Sequence, residues 1–179
     1  MRAVVVYESM YGNTRLVAEA IGEGLRPVHD VVVVPVREAG PEVMAGAQIL
    51  VVGGPTHAHG MSRRRTRQAA AEMAGKPENT VVLEEGATGP GVREWLASLE
   101  YPNVLAASFD TRVHMAPVLT GRASKGIDRE MSRHGMHVIA KPESFFVTKE
   151  DTLEAGEAAR ARRWGEQLAA ETEANLTKG

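Results

Sequence analysis

Ser9, Asn13 and Thr14 are the first residues whose types and spacing could do chemistry. They fall in Tyr7-Glu8-Ser9-Met10-Tyr11-Gly12-Asn13-Thr14, between the apolar run Val4-Val5-Val6 and a helical stripe of Val17, Ala20, Ile21, Gly24 and Leu25. A strand that passes through a polar turn into a helix makes an anion site. The first-turn N–H groups have no intrahelical partner, and the helix dipole puts partial positive charge beside them. The hydroxyls of Ser9 and Thr14 and the Asn13 amide would add neutral hydrogen bonds. The stretch holds no Gly-x-x-x-x-Gly-Lys-Ser/Thr and no Gly-x-Gly-x-x-Gly, so neither a triphosphate lysine nor a pyrophosphate fingerprint is present. A loop of hydroxyls without Lys or Arg suits a terminal monophosphate.

The elements that must position this turn follow in order. Val31 to Val34 with Val36, then Ile49-Leu50-Val51-Val52, then Val104 to Phe109 and Met136 to Ala140 read as further strands. Runs apolar on both faces and separated by helices indicate a parallel sheet covered on both sides, which makes the second strand too continuous in β-branched residues to be half exposed. The fifth strand is expected to break at Lys141-Pro142 and to resume at Phe145-Phe146-Val147. Pro41 opens a short helix over Val43 and Met44. Ser62 is expected to cap a helix from Arg63 to about Ala74, stopped by Gly75, and Val81-Val82-Leu83 to form a brief extended piece. Val92, Trp95, Leu96 and Leu99 share one helical stripe, as do Ala123, Ile127 and Met131 in a helix over residues 121–134. Asp151 with Glu154 reads as a capping box for the last helix, which buries Ala158, Ala161, Trp164 and Leu168 and ends near Asn175.

These alternating units predict one α/β domain over residues 1–179: three layers around a doubly wound parallel five-stranded sheet of order 2-1-3-4-5. Its ligand crevice lies beyond the carboxyl ends of the strands, where Ser9 to Thr14, Gly53 to Met61 and Asp110 to Arg112 converge. The connection over about 55–90 is long for a βα loop, and with Arg63-Arg64-Arg65-Thr66-Arg67 it is expected to be a lid-like insertion or a docking surface.

Ser9-Met10-Tyr11-Gly12-Asn13-Thr14 closely resembles the phosphate loop of the flavodoxin family, in which Ser/Thr-x-x-Gly-x-Thr wraps the phosphate of FMN. Gly54-Pro55-Thr56-His57 is similar to the loop that flavodoxins lay along the isoalloxazine, and Asp110-Thr111-Arg112 occupies the position of the other ring-contacting loop. The resemblance covers nearly the whole chain and is of the short-chain kind, since the fifth strand lacks a long insertion. It implies an FMN-binding flavoprotein active in electron transfer, with no catalytic acid or base. Ser9 to Thr14 would hold phosphate, while Pro55, Thr56, His57, Phe109 and Asp110 would touch the ring or ribityl chain. It also implies a redox protein or small molecule as electron donor or acceptor. A reductase of the same fold fed by a nicotinamide is the alternative, and a flavin-free interaction domain is the second. Two features depart from the family pattern: the long connection over about 55–90 and the scarcity of aromatics near the cofactor loops. The sequence holds two Trp, three Tyr and three Phe, and neither Trp95 nor Trp164 lies in a cofactor loop, so His57, His59 and Met61 stand where ring-sandwiching aromatics are usual.

Composition narrows the field further. The chain has 179 residues, a formal charge of −2 and no cysteine, which excludes disulfides, thiolate metal sites and a cysteine-based phosphatase. The charge gives no bulk attraction to nucleic acid or an anionic membrane, and the Arg63 to Arg67 cluster reads as a solvated face balanced by Glu84 and Glu85. A strand that begins within three residues of Met1 leaves no room for a signal peptide, so a cytoplasmic location is expected. His57 and His59 lack an evident third ligand, and no metal is expected. No nucleophile elbow surrounds Ser9 or Ser62. A phosphorelay receiver would need an acidic pair after the first strand and an Asp after the third, where Ser9 and Gly-Gly-Pro-Thr stand. For Arg112 two roles are open: an ion pair with Asp110, or contact with a flavin or its redox partner.

Overall fold

The computed structural model describes residues 1–77, 79–99 and 103–176. Four parallel strands set the frame: β1 (Arg2–Tyr7), β2 (Asp30–Pro35), β3 (Ile49–His57) and, after the two-residue β4 (Gly60–Met61), β5 (Leu105–Val113). Two short strands, β6 (His137–Val138) and β7 (Glu143–Val147), both pair in parallel with β5. The order is β2-β1-β3-β5-β6, with β7 continuing the β6 edge. It is the expected 2-1-3-4-5 sheet, its fifth strand broken at Lys141-Pro142, where proline has no N–H to donate to the ladder. The short β4 folds back antiparallel on β3, with Thr56 opposite Met61.

Alternation along the strands divides the core in two. Val5, Val51, Phe109 and Phe145 face α1 (Asn13–Leu25) and α7 (Glu157–Leu176), where Ile21, Leu25, Trp164 and Leu168 fill the layer. Val4, Val6, Leu50 and Val52 face the opposite way, against Leu96 of α4 (Val92–Ala97) and Ile127 and Met131 of α6 (Ala123–Arg133). The short α2 (Pro41–Met44) buries Met44, α3 (Arg64–Ala74) follows β4, and α5 (Pro117–Thr120) precedes α6. Among the described residues no helix is long and apolar enough to cross a membrane.

Several expectations are corrected. The second strand is half-buried along Val31 to Val34, because it is the edge of the sheet and is flanked by one strand only. Ser62 does not cap α3. The Arg63 N–H donates to Thr66 Oγ1 (2.9 Å), and Ser62 is buried with its hydroxyl accepting from Arg67 Nη1 (2.8 Å). Val81 to Leu83 form no strand. Asp151 and Glu154 do not box α7, which starts at Glu157, and the Glu157 carboxylate accepts from the Phe146 N–H (2.7 Å). The last helix runs through Leu176, and the tail beyond it lies outside the described residues. Both β3 and β5 also outrun their expected ends. Pro55 to His57 and Asp110 to Arg112 are strand residues, since Gly54 and Pro55 stay in register with Asp110 and Thr111, and Asp110 to Val113 with Ser144 to Val147.

Candidate functional site at the carboxyl edge of the sheet

At the end of β1 the backbone turns at Gly12, whose φ of 91° is a conformation that L side chains rarely adopt. The turn is locked from within by the Ser9 hydroxyl, which accepts from the Gly12 N–H (3.1 Å). Helix α1 then begins with no side-chain cap and no acidic residue in its first turn. Among the described residues no side-chain oxygen accepts from the N–H groups of Asn13, Thr14 or Arg15.

The other helices that start at this edge are treated differently. Glu8, 5% exposed, sends Oε2 across to the Val92 N–H at the start of α4 (2.9 Å). Asp110, fully buried at the end of β5, gives Oδ2 to the Ser124 N–H at the start of α6 (2.8 Å), and Thr56 Oγ1 of β3 accepts from the Ala123 N–H (2.9 Å). A carboxylate at a helix N-terminus satisfies a free donor and opposes the dipole. Strand-end carboxylates thus close α4 and α6, whereas among the described residues no carboxylate accepts from the first-turn N–H groups of α1.

The loop brings neutral donors to that uncapped end. Thr14 Oγ1 and Thr111 Oγ1 lie 2.7 Å apart, both residues nearly buried. One hydroxyl proton is used within that pair, so the other remains to be donated, and Ser9 keeps its own while its oxygen accepts from Gly12. Asn13 is committed elsewhere, its Nδ2 donating to the Asp151 carbonyl (2.7 Å). The Tyr11 hydroxyl donates to the Ala70 carbonyl of α3 (2.9 Å), and burial pushes its pKa up. Met10 is buried, and its carbonyl accepts from the Glu84 N–H (2.8 Å). Glu84 also pairs with Arg15 (2.6 Å), so it balances α1 and not the Arg63 to Arg67 cluster.

The residues of β3 and β5 divide sharply. Pro55, Thr56 and His57 are half-buried, and burial lowers the His57 pKa from its ordinary value. Phe109 takes no part in the crevice. Its ring is fully buried on the α1 and α7 side, edge-on to Phe145 and Trp164, and fills the space a side chain on Gly53 would need. Thr111 joins Thr14 across the sheet end. Arg112 makes no ion pair with Asp110. Its Nη1 donates to the Met115 carbonyl (2.6 Å) and to Thr120 Oγ1 (3.1 Å), and its guanidinium lies 4.9 Å from the Phe146 ring centroid. Desolvation lowers its pKa, with Asp110 opposing.

One residue that sequence reasoning set aside proves central. Arg67 is 2% exposed and bonds Ser62 through Nη1 and Glu94 through Nη2 (3.2 Å). A signal for it exists: Arg67, Ala70, Ala71 and Ala74 recur at helical spacing and form the inward face of α3.

The geometry defines a doubly wound α/β protein in which α1 starts, without a side-chain cap, at the switch point of the sheet. A family model for flavodoxin matches residues 5–95, and the chain belongs to the flavodoxin family. Among solved structures it is similar to an archaeal flavodoxin, at 21% identity and a TM-score of 0.65 over 97% of this chain and 99% of that one. It is similar to a Streptococcus pneumoniae flavodoxin at 18% identity and a TM-score of 0.65, over 96% of this chain and 99% of that one. A flavodoxin-family WrbA-like protein from Agrobacterium tumefaciens gives 20% identity and a TM-score of 0.60, over 94% and 95% of the two chains. No curated protein sequence matches.

Proposed function

We propose that the protein binds FMN non-covalently and acts in electron transfer. The observation that carries this reading is the contrast among helix N-termini. Helices α4 and α6 are closed by Glu8 and Asp110, whereas among the described residues no carboxylate accepts from the first-turn N–H groups of α1, and the nearby Glu84 is paired with Arg15. A phosphate monoester fits that position. First-turn N–H groups, the Ser9 hydroxyl and the Thr14–Thr111 pair would hold it, with Gly12 supplying the turn. Thr56 and His57, half-buried at the end of β3, are the residues left to face the ring, because Phe109 is in the core and Asp110 is spent on α6. A bound flavin would supply the one- and two-electron chemistry. This chain's residues bind it, orient it and limit water around it.

The test is a comparison of FMN with riboflavin. FMN is expected to bind far more tightly, and Thr14→Val is expected to weaken FMN by about 1.5–3 kcal/mol, the range for a hydrogen bond to a charged group. Riboflavin affinity should be unmoved by the change. Equal affinity for the two flavins, or none for either, would reduce the loop to a structural turn and leave a flavin-free domain.

A further inference from the structure

The β3–β4 hairpin and α6 enclose a cleft of about 400 Å³, large enough for a small organic ligand. Arg93, Arg122, Lys125 and Arg129 line it, against the single carboxylate of Glu130. That carboxylate is already held by Arg133 at 2.6 Å. Arg93 Nε and Nη2 donate to the carbonyls of Ser62 (3.1 Å) and Met61 (3.0 Å). Arg122 donates to Ser144 Oγ and to the Pro142 carbonyl. Neutral oxygens fix the direction of these guanidiniums without cancelling their charge. Lys125 and Arg129, both exposed, stand four residues apart on α6, a like-charge spacing that costs helix stability. Among the described residues none of the four cations of this cleft except Arg122 and Arg93 has a hydrogen-bonded partner, and none has a carboxylate.

Six of the arginines outside the cleft are ion-paired. Arg15, Arg37, Arg67, Arg133, Arg160 and Arg162 each have a carboxylate within reach. A solvated charged face would mix signs in the same way. Here uncompensated cations gather in a concavity, where low-dielectric walls focus their field. The same cations continue around the hairpin, since Arg93, His59 and Met61 also line a neighbouring cleft that holds Arg63 and Arg65. At the tip, Ala58 (φ 43°) and His59 (φ 74°) are both left-handed, and His59 bridges to Gly121 at the entrance to α6.

We propose that this cleft binds a phosphate-bearing small molecule, with the forked guanidiniums of Arg93 and Arg122 and the charges of Lys125 and Arg129 as its anion site. Planar guanidinium donors match phosphate oxygens two at a time, and the ammonium adds a mobile point charge. Thr56 and His57 belong to the strand that forms the hairpin, so the ligand lies beside the residues left to face a flavin. The inference goes beyond the proposed function: it assigns a second ligand of phosphate chemistry to a cleft apart from the Ser9 to Thr14 loop, and does not rest on that reading.

The experiment is calorimetric titration of the purified full chain with inorganic pyrophosphate, ADP and adenosine at low ionic strength, with and without saturating FMN. Pyrophosphate and ADP are expected to bind, and adenosine is not. ADP binding more tightly than pyrophosphate would identify a nucleotide as the source of the phosphate, and the reverse order would identify free phosphate. Both orders support the site. The paired change Lys125→Gln and Arg129→Gln touches only exposed side chains and is expected to weaken pyrophosphate at least about tenfold while FMN affinity stays constant. Absence of pyrophosphate binding, equal binding of adenosine and ADP, or insensitivity to the paired change would overturn the proposal. So would displacement of pyrophosphate by FMN, which would place it in the Ser9 to Thr14 loop. Pyrophosphate binding that depends on Lys125 and Arg129 in a protein unable to bind FMN would sustain the cleft and remove the flavoprotein reading.

Discussion

The turn after β1 and the crevice wall formed by β3, β5 and α6 lie at the same edge of one sheet and are built in opposite ways. The turn is local. Ser9, Gly12 and the first turn of α1 come from consecutive residues, and the Ser9–Gly12 hydrogen bond spans three positions. The wall is assembled from distant ones: Asp110 reaches Ser124, Thr56 reaches Ala123, and Arg122 reaches Ser144. The turn carries hydroxyls, uncapped N–H groups and the positive end of a helix dipole beside the Arg15–Glu84 pair. The wall spends its carboxylate and hydroxyl on holding α6, and leaves cations facing outward. Polar residues at a strand's carboxyl end therefore divide into those with a donor left unpaired, such as the Ser9 hydroxyl, and those that hold a helix, such as Asp110 and Thr56. Residue type does not separate the two.

The largest effect should come from Arg67, which lies between the two regions: it bonds Ser62 beside the hairpin, and its Nη1 approaches Gly91, as does the Glu8 carboxylate that precedes the turn. Arg67→Met removes a buried guanidinium and leaves the buried Ser62 hydroxyl and the partly exposed Glu94 carboxylate without their partner, at a cost of about 1–3 kcal/mol. Urea unfolding should record that loss, and FMN and pyrophosphate affinity should both fall. A loss confined to one ligand would show that the regions are independent of this link.

Next comes Asp110→Asn, which keeps the shape of the α6 cap and removes its charge. The expected loss is about 1 kcal/mol, or about 2–4 °C in Tm for a chain of this size. FMN affinity should change little, because the carboxylate serves α6. A large fall in FMN affinity at constant stability would return Asp110 to the flavin, and the division between the regions would break.

The smallest effect is a pH dependence at the border between them. Burial holds the His57 pKa below its ordinary value of 6.5, with Glu8 opposing. The unfolded chain therefore takes up this proton before the folded protein does. The contribution of neutral His57 to stability is complete above about pH 6.5 and is lost as pH falls below it. Wild type and His57→Gln, melted in urea across this range, should converge on acidification. Parallel curves would mean that His57 is not held neutral by the fold.

Much of the architecture was readable in order. Val4 to Thr14, with the stripe from Val17 to Leu25, announced the first strand, its turn and its helix, because each depends on neighbours a few residues away. The Val92 and Ala123 stripes placed α4 and α6 for the same reason, and Pro142 marked the break in the fifth strand. Sequence alone therefore determined the βα order, the sheet class and the turn that brings Ser9, Gly12 and Thr14 together. Only the tertiary structure decided where β3 and β5 end, since a strand lasts as long as a partner pairs with it, and β7 carries β5 through Asp110, Thr111 and Arg112. It also decided which way each of those residues faces. Side chains alternate with a period of two, so register alone sends Phe109 into the core beside Trp164 and turns Asp110 to α6. The burial of Arg67 follows from the inward face of α3 and the neighbouring Ser62, whereas its contact with Glu94 of α4 comes only from the fold.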